Sequence, residues 1–535
     1  MAADVLVVNL TRFGDLLQSQ AVIDDLHSAG YQVNLLCLDN FAAALPLLRN
    51  VRRSWRLPGA KLLSLIHTSW PVALATLEKF ALDIRKAAPP AAILNLTPTL
   101  PARLLTRLLA VPGTKVAGFG MDALGYGVNY GVWASFFAVA AAKRANSPFN
   151  LADMMRRLAA PLGAVPSGDF RLNPPDAGAL AWADAWLAEQ AAALGQQISG
   201  FVALQLGASQ DMRRWPVASF RELGRLLWHK TGLAPVLLGS PSEADLGARF
   251  GAACDYPFIN AIGKTDLGQL AAILQRARLL ITNDTGTMHL AAGLGRPLLA
   301  LFLATAQPVD TGPLNPGSCS LEPNLECHPC AFDRPCERDY ACRQQIAAST
   351  VADYCLAFLE QGDFARARPQ GDVRAWLTTR NGLTALAPLS DSARSRVWPE
   401  WLRRFWGPLL AAMEDSDICA QNGRGYAGLA APGDAPSLAD KFGQAARLLA
   451  ITAETGAGAV RQGALAKLFL RNCERAQAFM DSEPALATLA AFWRELKLNQ
   501  GGDLEKFAAQ AGIMAAHVAA LAQALAGAQI LQNSH

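Results

Sequence analysis

Ile281-Thr-Asn283-Asp284-Thr285-Gly286-Thr287-Met288-His289-Leu-Ala-Ala292 passes from an apolar start through a polar turn with one glycine into an Ala-rich run. This pattern is a buried parallel strand feeding a helix N-terminus, the junction at which an open α/β sheet presents a ligand site. The main-chain N–H groups of Thr285, Gly286 and Thr287 have no helical acceptors there, so they can bind a phosphate oxygen. His289 falls in the first turn and can donate to the same anion, although a His there also serves as a structural hydrogen-bonder. Ala291, Ala292 and Gly293 let the helix lie close to the sheet.

Working outward, Phe201–Leu206, Ala234–Leu238, Leu279–Thr282 and Leu298–Phe302 are further strand-like runs. A second set precedes them: Asp4-Val-Leu-Val-Val-Asn-Leu10, then a helical Leu16–Leu26, Val33–Leu38, Ala91–Leu96 and Thr114–Phe119. Alternation of this kind predicts two α/β domains with parallel sheets. Phe170–Pro175, with its Asn173-Pro-Pro175, is the natural linker. After about residue 370 strand-like runs disappear, and Leu438–Thr455, Gly463–Met480 and Lys506–Ile530 have helical spacing. The expected division is 1–172, 173–368 and an all-helical 369–535, with the last part separable by ending the chain near residue 368. Trp398, Trp401, Phe405 and Trp406 beside Arg403 and Arg404 form an aromatic, basic cluster, readable as buried core or as a surface for a glycolipid or partner chain.

With 52% hydrophobic and 17% charged residues in 535, the chain is too apolar to be disordered. A net charge of +4 gives no call for a nucleic-acid partner. No uninterrupted apolar run approaches a membrane-spanning length, the longest being Pro297–Ala306, and Met1–Asp4 has no basic leader. A cytoplasmic protein with its ten cysteines reduced is expected.

Other stretches carry chemistry. In Leu10-Thr-Arg12-Phe-Gly14-Asp15 the carboxylate opens a helix, where it can cap the N-terminus or act on a ligand in the crevice. Asp24-Asp25 reads as a solvated helix face. Leu206-Gly-Ala-Ser209 follows a strand, and Arg213-Arg214-Trp-Pro216 supplies cations suited to a phosphate-bearing ligand. Glu243, in Gly239-Ser-Pro-Ser-Glu243, can accept from a ribose or cap the following helix. Cys327, Cys330, Cys336 and Cys342 crowd four thiols into sixteen residues. They suit tetrahedral zinc or iron in a structural role, with His328 as a further donor; uncomplexed thiols are the alternative. Cys319 is a weaker fifth candidate, and Cys37, Cys254, Cys355, Cys419 and Cys473 read as core.

Together the Arg12–Asp15 turn, Arg213-Arg-Trp-Pro216, Asn283–Ala292 and the cysteine cluster resemble glycosyltransferase family 9, the heptosyltransferases of lipopolysaccharide assembly, over about residues 1–365. The resemblance implies a GT-B architecture of two Rossmann-like domains facing a cleft, here with an added helical region. It implies Asp15 as catalytic base and Ser209, Arg213, Glu243, Asp284, Thr285, Gly286 and His289 as donor-binding residues. Arg213 stands where the family usually has Lys, and Arg12-Phe13 replace small residues. The reaction implied is inverting transfer of a heptose or related sugar from a nucleotide-diphospho-sugar, ADP-heptose foremost, to a lipopolysaccharide core, another glycan or a protein. No Asp-x-Asp precedes the donor site, so no catalytic metal is expected. A peripheral contact with the inner face of the cytoplasmic membrane and oligomerisation are further expectations. A non-catalytic nucleotide- or glycan-binding subunit and a nucleotide-sugar epimerase are the rivals. Asp15 weighs against the first, and incubation of donor alone separates the second.

Overall fold

The computed structural model describes residues 3–142, 144, 147–166, 170–332, 334–414, 425–426, 429–500 and 502–532. The chain forms two compact units, each assembled from separate segments. One comprises 1–91, 149–156 and 166–395, the other 92–148, 157–165 and 396–535.

The first unit opens with β1 (Asp4–Asn9), β2 (Gln32–Leu38) and β3 (Val51–Leu57), parallel and in the order β3-β2-β1. Val5, Val7 and Val8 are fully buried, as expected of a strand covered on both faces. β3 was not anticipated, because VRRSWRL is an edge strand whose charged side chains reach solvent. Asp25 differs from its reading as a solvated residue. It is fully buried, and the Arg156 Nε donates to it at 2.6 Å. A buried charge needs such a partner, and this one comes from 131 positions away.

The same unit holds an eight-stranded sheet. Its strands are β7 (Gly200–Gln205), β8 (Leu233–Leu238), β9 (Ile259–Asn260), β10 (Leu280–Asn283), β11 (Leu298–Leu301), β12 (Cys319–Pro323), β13 (Val373–Asn381) and β14 (Leu383–Pro388). The order is β14-β13-β12-β11-β10-β7-β8-β9. From β9 to β12 this is the doubly wound Rossmann pattern, with its switch point between β7 and β10. The apolar runs read from the sequence all lie in these strands, and Leu204, Leu237, Ile281 and Leu301 are fully buried.

β13 and β14 correct the expectation that residues after 369 are wholly helical. They extend the sheet antiparallel, with Cys319 opposite Leu377 and Pro323 opposite Val373. The pair escapes an apolar-run criterion because Val373 and Ala375 face the core while Arg374 does not.

The second unit contains β4 (Ala92–Asn95), β5 (Lys115–Met121) and β6 (Gly127–Tyr130), in the order β4-β5-β6. Helices Trp398–Glu414, Ala435–Arg461, Ala466–Ser482, Ala487–Gln500 and Leu504–Gln532 make up the expected helical region. Among the described residues, Leu504–Ala528 is the one helical stretch long and apolar enough to cross a membrane by length and composition. It was missed because its mean hydropathy, not an unbroken apolar run, qualifies it. Phe507, Ala511, Met514, Val518, Leu521 and Leu525 on it are buried in the unit.

Most of the aromatic cluster is also core, Trp398 being only partly buried. Trp401, Phe405 and Trp406 are each about 1% exposed, so a glycolipid or partner does not meet them. Trp406 packs on Phe136 and Phe492 with centroids 4.8 and 5.2 Å away. Aromatics at helical spacing bury most area when they face inward. Cys37, Cys355 and Cys473 are buried and Cys254 partly so, while Cys419 lies outside the described residues.

Candidate functional site

At the switch point, the loops after β7 and β10 are fastened by Asn283. Its Nδ2 donates to the carbonyls of Leu206 and Gly207, each at 3.0 Å. Its Oδ1 accepts from the Trp215 main-chain N–H at 3.0 Å. One buried amide thus holds together Leu206–Ser209, Arg213–Trp215 and the turn into helix Gly286–Gly293. Sequence reading did not single out Asn283, although its place at the end of the deciding strand was a signal.

The candidate donor residues converge here. Thr285 is the extended N-cap of Gly286–Gly293, with no side-chain capping bond to take up a first-turn amide. Thr287 is tied to Gln205 Oε1 at 3.0 Å. Arg213 is buried, donates from Nε to Thr305 Oγ1 at 2.7 Å, and faces Asp284 at 3.6 Å. Asp284 therefore offsets part of the Arg213 charge. Glu243 accepts from Ser240 N at 2.7 Å, as a cap. Its carboxylate also lies so close over Gly207 that a Cβ there would fall 1.4 Å from Oε1. A side chain at 207 would displace the Glu243 carboxylate from this position. Ser209 is exposed on the same loop.

Asp15 stands in the first turn of helix Phe13–Gln18 and accepts from the Arg12 main-chain N–H at 3.3 Å. It is a cap, and it remains partly exposed. This helix meets Gly286–Gly293 directly. A Cβ on Gly14 would be 2.9 Å from His289 Cδ2 and 3.6 Å from Gly286 Cα, and one on Gly286 would be 2.3 Å from the Phe13 ring. Phe13, where small residues were expected, covers the glycine of the candidate phosphate loop.

The His289 Nε2 is 3.2 Å from the Gln18 Nε2. Its Nδ1 has no hydrogen-bond partner among the described residues. Burial pushes the imidazole down to about 4, so it is neutral near pH 7 and can donate only as an uncharged N–H. Gln18, three positions beyond Asp15, was not foreseen.

The cysteine segment leans on the same place. The Cys330 N–H donates to the Ala304 carbonyl at 2.8 Å, next to Arg213's partner Thr305. Phe332 lies under the Arg213 guanidinium at 5.6 Å, and Arg343 pairs with Asp211 at 3.1 Å. Cys327, Cys330 and Cys336 line one pocket beside Met212. Burial raises the Cys330 thiol to about 11, with Cys342, Cys327 and Cys336 near enough to add to it. Among the described residues no three His, Cys, Asp or Glu side chains are placed to hold a metal ion. His328 is turned away, its Nε2 3.1 Å from Glu322 Oε2, and Cys319 is buried in β12.

A profile of glycosyltransferase family 9 (heptosyltransferase) matches residues 169–340. Lipooligosaccharide heptosyltransferase 2 of Haemophilus influenzae is 33% identical over 107 residues, 19% of this chain and 30% of that protein. Lipopolysaccharide heptosyltransferase 1 of Salmonella typhimurium is 32% identical over 143 residues, 24% and 41% of the two chains. These matches span about a third of the length of the curated relatives. The solved E. coli ADP-heptose lipopolysaccharide heptosyltransferase II is 18% identical, with a TM-score of 0.47 over 67% of this chain and 99% of that one. The resemblance read from the motifs is borne out over the segment where they are densest, since residues 169–340 match the glycosyltransferase family 9 (heptosyltransferase) profile.

Proposed function

We propose that the chain is an inverting glycosyltransferase that moves a heptose from ADP-heptose to a lipopolysaccharide core or a related glycan or protein acceptor. What carries this reading is the contact of Gly14 with His289 and Gly286, which sets the candidate base beside the candidate phosphate loop. The matches to heptosyltransferases support the sugar.

In the proposed step an acceptor hydroxyl oxygen attacks the anomeric carbon as Asp15 takes its proton. The bond from that carbon to the diphosphate oxygen breaks, and the nucleoside diphosphate leaves with the electron pair. General-base help of this kind contributes about 10²–10⁴-fold. Arg213 and the amides of Thr285, Gly286 and Thr287 meet the growing charge on the leaving group, Ser209 adds a hydroxyl beside it, and Glu243 accepts from the ribose. Asp284 keeps Arg213 in place until phosphate competes for it. Attack from the face opposite the leaving group inverts the anomeric centre.

We also propose that Cys327, Cys330, Cys336 and Cys342 hold a structural zinc or iron. Thiols are soft ligands suited to either ion, and the side chains would have to draw together from the open pocket that Cys327, Cys330 and Cys336 line to reach one. On this reading the protein works in the cytoplasm, at the inner face of the cytoplasmic membrane.

The test is to incubate the protein with ADP-heptose, with and without a heptose-free lipopolysaccharide core, and to follow both sugars by mass spectrometry. Acceptor gaining one heptose as ADP appears is expected. Donor that changes stereochemistry without acceptor, or ADP that never appears with any glycan or protein acceptor, would overturn the proposal.

A further inference from the structure

Helix Gly59–Ala87 is 29 residues long, yet from Gly59 to Lys79 only Ala73 is buried. Leu63, Ile66 and Trp70 are 64%, 54% and 67% exposed in the whole chain, and Val72 and Leu74 about half. The helix breaks at Ser69, whose φ of −159° and ψ of 88° are not helical. Pro71 accounts for the break, since it has no N–H to give the turn before it and its ring crowds that turn. Leu63 and Ile66, one turn apart, precede the kink; Trp70, Val72 and Leu74 follow it at once. Five large apolar side chains exposed within twelve residues, a tryptophan among them, are uncommon on a surface that meets only water.

Charge separates the kinds of partner. Residues 49–87 carry eight Lys and Arg against Glu78 and Asp83, a net of +6, while the whole chain carries +4. The remainder is therefore net negative, and cations flank the apolar stretch along the chain, with Arg52 paired to Asp4 at 3.1 Å. Arg56, on edge strand β3, and Lys61, in the first turn of the helix, are both exposed. A second copy of the same face would bring like charge against like. An anionic lipid surface meets both properties, because apolar side chains and a Trp settle at the acyl boundary while flanking cations reach the headgroups.

We propose that the kinked helix Gly59–Ala87, with edge strand Val51–Leu57, is a docking surface for an anionic phospholipid bilayer. This deepens the peripheral membrane contact expected above by naming its surface. It rests on that lipid-side reading only for its purpose. Because the assay contains neither donor nor acceptor sugar, its failure is distinguishable from failure of the transferase reading.

The experiment is co-sedimentation of the full chain with phosphatidylcholine vesicles, with and without phosphatidylglycerol. Binding only to the anionic vesicles is expected, weakening as salt is raised. Ile66→Ser with Trp70→Ser should weaken it by about tenfold or more, and Arg56→Glu with Lys61→Glu by a similar factor. All four side chains are exposed or leave the core untouched, so unchanged far-UV circular dichroism is the folding control for each pair. No sedimentation above the vesicle-free level, or binding unaltered in both folded variants, overturns the proposal. So does a dimer of the wild type that the apolar pair abolishes without any vesicle binding.

Discussion

Asp15 shows why the residue scale was ambiguous in the sequence. A carboxylate in a first helical turn is stabilising there as a cap, and this one does accept the Arg12 N–H. Capping does not exclude catalysis, because a carboxylate has further lone pairs and Asp15 stays partly exposed. Asp15→Asn keeps the acceptor oxygen and the shape but cannot take a proton. It should retain ADP binding by calorimetry while transfer falls by about two orders of magnitude or more; full activity would remove Asp15 from the proposed role. Arg213 invites a different comparison. It is buried against Thr305 and Asp284, and the proposed role is to bind phosphate rather than sugar or base. Arg213→Ala should weaken ADP much more than adenosine, with Arg213→Lys restoring part of the difference. Equal losses for the two ligands would mean that Arg213 acts through folding instead.

Elements were legible in proportion to how completely they are covered. β1, β7, β8, β10 and β11 are enclosed on both faces, so their apolar runs are continuous and visible. β3 and the β13–β14 hairpin lie at sheet edges, where one face or one margin meets solvent, and their residues alternate or carry charge. The cysteine segment was legible as a cluster but not as a brace. It reaches the candidate donor loop through Cys330 on Ala304, Phe332 under Arg213 and Arg343 on Asp211. Protein purified without oxygen should therefore carry about one zinc or iron per chain by elemental analysis. Cys330→Ser with Cys342→Ser should lose the metal and also weaken ADP binding. Stoichiometric metal in that double variant, or no metal in the wild type, would exclude the proposed ligands.

On the scale of the whole molecule, ending the chain at residue 368 no longer looks like removal of a separable part. β13 pairs with β12. In the second unit, residues 396–535 fold together with 92–148. Phe136 lies among Trp406 and Phe492, and Asn129 is bonded to Asn499 and Glu495 at 2.7 and 2.9 Å. A chain of residues 1–368 should be insoluble or lack a cooperative thermal transition. Trp406→Ala in the full chain should cost about 3–5 kcal/mol of stability, read from denaturant unfolding. A monodisperse truncated protein that binds ADP would contradict this. The sequence by itself determined the buried strands, the phosphate-type turn at Asn283–His289 and the helical character of the C-terminal region. Each of these depends on the order of neighbouring residues and on local hydrogen-bonding needs. Tertiary structure alone decided that Trp401, Phe405 and Trp406 face inward, that Asp25 is paired with Arg156, and that Gly14 meets Gly286 and His289. Those outcomes depend on surfaces supplied by chain segments more than a hundred residues away in most cases, and burial of apolar area and pairing of buried charge are set only once those surfaces meet.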